Sequence, residues 1–201
     1  MRLILAVATF AALALPARAQ RVDTRQIDIR ETAAGRTCSF NAYPDITLVD
    51  ARKGRDANLA TWRKSAQGLP AGDTTARMEL IFGPAGIGER KWMTPLVLGL
   101  GFTIRADATL TRDTVAGARF SIDGGPPIAL QYNASRTNLI FAVAHEAGPV
   151  AHRMIEYNRK TADLEILGAN DATLRRYSFD IARLNAGVEV VSIVGWTCDD
   201  P

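Results

Sequence analysis

Apolar and polar residues alternate with a period of two over several short stretches of this chain. The clearest covers residues 98–105, where Leu98, Leu100, Phe102 and Ile104 are separated by Gly99, Gly101, Thr103 and Arg105. Successive side chains of a strand point to opposite faces, so this spacing predicts a half-buried strand with those four side chains turned into the core. Residues 78–82 form another β-prone run ending at Gly83, and Cys38, Phe40 and Ala42 alternate ahead of Ile46 and Leu48. Phe120, Ile122, Ile128 and Leu130 flank Asp123-Gly124-Gly125-Pro126-Pro127. Asp-Gly-Gly offers the positive-φ positions a hairpin turn needs, so a hairpin is expected here. Residues 139–144 read as a buried strand, and 164–167 and 176–181 as paired strands joined by a turn at 168–171.

The period lengthens late in the chain. Residues 150–160 predict a helix with Val150, Met154, Ile155 and Tyr157 on its apolar side. Ile181, Leu184 and Val188 are spaced three and four apart, as in a short helix, whereas Val190, Val191, Ile193 and Val194 favour a strand; both readings stay open. Residues 20–36 carry only Val22, Ile27 and Ile29 as larger apolar residues and read as an arm or an edge strand. Residues 51–76 read as a long polar connection around Trp62. Many short strands, turns rich in Gly and Pro, and no regular strand–helix alternation predict a mainly β fold. We expect an antiparallel β-sandwich-like single domain over residues 37–201, with one or two short helices.

The first nineteen residues follow a different logic. Arg2 precedes an apolar run at 3–15 broken only by Thr9, Pro16 ends it, and Ala17-Arg18-Ala19 has the small-x-small pattern of a cleavage site. A secretory signal peptide over 1–19 is expected, cut between Ala19 and Gln20, which places the protein in the periplasm or outside the cell. A spanning helix needs about 20 apolar residues, so the run is too short for a transmembrane anchor. Cleavage removes Arg2 and Arg18 and no acid, which lowers the formal charge from +3 to +1. That balance speaks against a nucleic-acid partner.

The only cysteines are Cys38 and Cys198. An even number in an exported chain points to a disulfide, with two free thiols or a two-cysteine metal site as the other readings, although no His neighbours either residue. The bridge would be structural, fastening the first core strand to the last.

Candidate chemistry is sparse. Gly83 and Gly88 have the separation of a Walker A loop, but Glu89 and Arg90 stand where Lys and Ser/Thr belong, and a carboxylate there repels phosphate. The stretch reads as a turn. His145-Glu146 and His152 are the only histidine constellation; a zincin needs His-Glu-x-x-His, and here six residues intervene, Gly148-Pro149 among them. There is no Gly-x-Ser-x-Gly nucleophile elbow. Asp45, Asp50 and Asp199-Asp200 are carboxylates without an inferable spacing, and Trp62, Trp92 and Trp196 read as core or rim packing. Asn133-Ala134-Ser135 fits a glycosylation sequon, which a bacterial-type signal makes uninformative.

The stretch Tyr-Ser-Phe-Asp-Ile-Ala-Arg-Leu-Asn-Ala-Gly-Val-Glu-Val-Val-Ser-Ile, residues 177–193, follows a late helix and a polar hairpin. In this layout the last fifty residues resemble the C-terminal part of the invasion-associated locus B proteins. That resemblance implies an exported bacterial protein with a β-sandwich-like fold and no established catalytic activity. The family usually carries more cysteines than Cys38 and Cys198, and it offers no catalytic motif to carry over. The sequence therefore assigns no catalytic residue, no metal ligand and no cofactor. It predicts a non-enzymatic domain that binds a protein or a cell-envelope component. The alternative is a small metal-dependent or hydrolytic enzyme using His145, Glu146 and His152.

Overall fold

The computed structural model describes residues 27–32, 35–50, 58–70, 72–84, 96–135, 137–143, 147–156, 159–193 and 195–198. Among the described residues eleven strands form one sheet: β1 (Ile27–Thr32), β2 (Gly35–Phe40), β3 (Tyr43–Asp50), β4 (Leu59–Ser65), β5 (Ala76–Gly83), β6 (Leu96–Arg105), β7 (Gly117–Ile122), β8 (Ile128–Ala134), β9 (Asn138–Ala142), β10 (Thr161–Leu167) and β11 (Thr173–Asp180). The described α-helices are α1 (Ala147–Glu156) and α2 (Leu184–Ile193). The spatial order is β1-β2-β3-β4-β5-β6-β9-β8-β7-β10-β11, and every pairing is antiparallel. The expected mainly β, antiparallel, sandwich-like fold is what the chain adopts.

The sheet turns its corner at β8. Residues 128–130 pair with β7, whereas 131–134 pair with β9, so one strand serves both halves. The inner faces then meet. Phe102 of β6 lies 5.4 Å from the Phe120 ring of β7 and 5.5 Å from the Phe179 ring of β11, in tilted arrangements. The Gln67 N–H donates to Ser178 O at 2.6 Å, which brings the end of β4 beside β11. α2 packs on β3 and β4, α1 packs on β6, and the helices touch each other.

Leu100, Phe102 and Ile104 point into this core as expected, each at most 2% exposed. Leu98 does not; it is 52% exposed. The cause is a β-bulge. Ile81 of β5 pairs with Gly99 but Phe82 pairs with Val97, so Leu98 is the extra residue. Because the side-chain period is two, one inserted residue moves everything beyond it to the other face. Val97 accordingly packs against the core, and Leu96 joins Leu98 outside.

Other expectations need similar correction. The supposed polar connection at 51–76 contains β4, whose Ala60 and Trp62 are buried while Thr61 and Arg63 face outward. Two inward positions were too few to register as a period. Of the two readings of residues 20–36, the edge strand holds for Ile27–Thr32, which pairs with β2. β9 is buried on one face only, since Ile140 between Leu139 and Phe141 is 42% exposed. α1 begins at Ala147, with Gly148 and Pro149 in its first turn, not before it. A first-turn proline costs nothing, because its missing N–H would have had no partner there. The valines of α2 are helical despite their strand preference. Val188, Val190 and Val191 are all nearly or fully buried, and tertiary burial outweighs a propensity of a few tenths of a kcal/mol per residue.

Cys38 and Cys198 form a disulfide with Cα atoms 5.8 Å apart, closing a sequence separation of 160. The bridge does not join first and last strands. Cys198 lies in a turn after α2, where Gly195 and Trp196 both have positive φ, and its partner strand is β2. Trp196 is buried and meets the Phe82 ring edge-on at 5.8 Å. Among the described residues no helix is long and apolar enough to cross a membrane.

Candidate functional site

The residues singled out by sequence do not gather into one site. His152 is exposed on α1, while His145 and Glu146 lie outside the described residues, as do Ala19, Gln20, Trp92 and Asp199-Asp200. Among the described residues no group of three or more His, Cys, Asp or Glu is placed to hold a metal. Asp45 and Asp50 lie towards opposite ends of β3. Asp45 pairs with Lys64 at 2.6 Å, and the nearly buried Asp50 accepts the Cys198 N–H at 3.1 Å, helping to seat the disulfide. Trp62 and Trp196 are core residues.

The most suggestive concave surface lies where the β7–β8 hairpin meets the C-terminal end of α1. It is a cleft of about 240 Å³ lined by Ile122, Asp123, Gly125, Pro126, Pro127, Ile128, Arg153 and Arg159. The hairpin is built as its sequence suggests, with Asp123 and Gly124 at φ of 47° and 69°. Asp123 Oδ1 accepts the Thr161 and Lys160 N–H groups at 2.8 and 3.0 Å, and the Thr161 hydroxyl at 3.3 Å. These donors, the Thr161 amide first, hold its carboxyl below the ordinary carboxylate value. Asp123 therefore stays ionised and ties the hairpin to the start of β10.

Two arginines share the cleft with that carboxylate. The Arg159 guanidinium stands 3.7 Å from Asp123 Oδ2, a long ion pair, and the Arg159 N–H bonds to Met154 O, closing the end of α1. Arg153, in the last turn of α1, has no ion-pair partner among the described residues. Its position near the helix carbonyls accounts for a cation there, worth about 0.3–1 kcal/mol. The prolines supply a rigid apolar wall beside it. Chemically, the arrangement suits an anionic group attached to an apolar segment.

Two other depressions spend their charges internally. In the smaller one, about 130 Å³, Arg183 stacks over the Tyr43 ring at 5.0 Å and donates to Ala42 O, while Lys64 holds Asp45. On the outer face of β7, β10 and β11, Glu165 sits between Arg119 and Arg176 at 2.7 and 2.6 Å.

Sequence reading recognised Asp123–Pro127 only as a turn, and it did not single out Arg153 or Arg159 at all. About thirty residues separate the hairpin from these arginines, and no local pattern announces that β8, β9 and α1 will bring them together. Set against known protein families, curated proteins and solved structures, the chain finds no match.

Proposed function

We propose that the protein is an exported, periplasmic or secreted, non-enzymatic β-domain that docks a protein or another cell-envelope component through the cleft between the β7–β8 hairpin and α1. The observation that carries this reading is Arg153, a guanidinium without an ion-pair partner among the described residues, set at an apolar-walled cleft beside Pro126 and Pro127. A partner presenting a carboxylate or phosphate next to apolar surface complements that chemistry. The Cys38–Cys198 disulfide supports export, since such bonds persist in oxidising compartments. The signal-like residues 1–19 and the resemblance to the exported invasion-associated locus B proteins support the same compartment.

The test is retention of envelope-extract components on immobilised protein. Wild type is expected to retain a discrete component that Arg153→Glu loses, with near-UV circular dichroism showing an unchanged fold. Retention that survives both Arg153→Glu and Arg159→Glu removes the cleft from consideration. Mass spectrometry of the exported protein should give an N-terminus at Gln20, and a retained Met1 would contradict export by this signal.

A further inference from the structure

We propose that the protein self-associates edge to edge, with β1 pairing antiparallel to β1 of a second copy across a twofold axis through Ile29. This inference is independent of the cleft. Among the described residues β1 ends the strand order, with β2 on one side and unpaired backbone on the other. Such an edge is a template for another strand. Its register partners fix which way its side chains point. Ile27 and Ile29 lie opposite Phe40 and Cys38, both buried, so they are on the core side; Asp28 and Arg30 lie opposite Ser39 and Thr37, on the outer side.

Symmetry leaves few registers. Directly opposed residues in an antiparallel pair share a face, and a twofold axis perpendicular to the sheet preserves faces, so some residue must oppose its own copy. Centring on Asp28 opposes two carboxylates, and centring on Arg30 opposes two guanidinium groups. Centring on Ile29 places Asp28 against Arg30 of the second copy, and Arg30 against its Asp28. The sequence Asp28-Ile29-Arg30 is thus complementary to its own reverse. In the single chain these two side chains satisfy each other along the strand at 2.9 Å while remaining 47% and 77% exposed. The same register sets Ile29, 36% exposed at the core-side rim, against its own copy and covers both. Charges on edge strands also serve to repel neighbours, but a repelling edge does not need opposite signs two residues apart. A strand pair of this length buries less than a standard interface, so the dimer is weak and concentration-dependent.

The experiment is sedimentation equilibrium of the oxidised protein, purified after export so that residues 1–19 are removed, over a wide concentration range. Wild type is expected to show reversible dimerisation. Arg30→Asp and Asp28→Arg, which each oppose like charges, should lower the association constant roughly tenfold. An equimolar mixture of the two variants should regain association as a heterodimer, because the two carboxylates on the edge of the first variant then face the two guanidinium groups on the edge of the second. That gain of association also shows that both variants are folded. A wild type that stays monomeric, variants that dimerise as wild type does, or a mixture that fails to associate each overturns the proposal.

Discussion

Replacing Phe102 and Leu98 separately by Ala tests the bulge that divides β6. Both residues belong to one apolar alternation, and a strand of unbroken register would bury both. Phe102 is 1% exposed and touches the Phe120 and Phe179 rings, whereas Leu98 is 52% exposed. Truncating a buried aromatic costs about 3–5 kcal/mol. Phe102 belongs in the upper half of that range, because each ring pair contributes about 0.5–1.5 kcal/mol beyond area burial. Leu98→Ala removes side chain that is already half in water and should cost under about 1 kcal/mol. In urea, with a slope of about 2 kcal/mol/M, Phe102→Ala should lower the unfolding midpoint by roughly 2 M, and Leu98→Ala by less than about 0.5 M. Denaturation followed by far-UV circular dichroism reads both shifts. Comparable losses for the two variants would mean that Leu98 faces the core and that the bulge is misplaced.

Removing the disulfide with the double Cys38→Ser, Cys198→Ser change should lower stability by about 2–5 kcal/mol, against about 5 kcal/mol from the loop-closure model, and thiol titration of the unfolded, unreduced protein should find no free thiol. Gly187→Ala should destabilise by about 1–3 kcal/mol, since an added Cβ would lie 2.9 Å from Cδ1 and Cγ1 of Ile46, which is fully buried between α2 and β3; a neutral thermal midpoint would show that the helix can move away. Asp107 is held well below the ordinary carboxylate range, first by the Arg175 guanidinium and then by the Leu110 amide and by the Thr109 hydroxyl and amide. Its folded value is depressed, so the stability it contributes is present above the unfolded value and is lost as pH falls. The advantage of wild type over Asp107→Ala in thermal unfolding should therefore hold at neutral pH and shrink progressively below about pH 4. A gap that stays constant into acid would contradict this.

The sequence alone determined what local geometry controls. The alternation at 100–104, the Asp123-Gly124 turn and the existence of two paired strands around the turn at 168–171 are legible because a strand's period and a turn's backbone requirements are properties of neighbouring residues, although the second strand, Thr173–Asp180, starts three residues before the expected 176. The pairing of Cys38 with Cys198 followed from counting, since two cysteines admit only one intramolecular bridge. Tertiary structure decided the rest. Leu98 leaves the core because β5 imposes a bulge on β6, and the valines of α2 become helical because β3 and β4 offer them a surface to cover. Trp62 is core because a strand with only two inward apolar residues is held by pairing on both sides. Arg153 and Arg159 meet the Pro126-Pro127 wall only after β8 turns the sheet's corner and α1 packs on β6. These outcomes depend on contacts between distant segments, whose free energies exceed local propensities and leave no periodic mark along the chain.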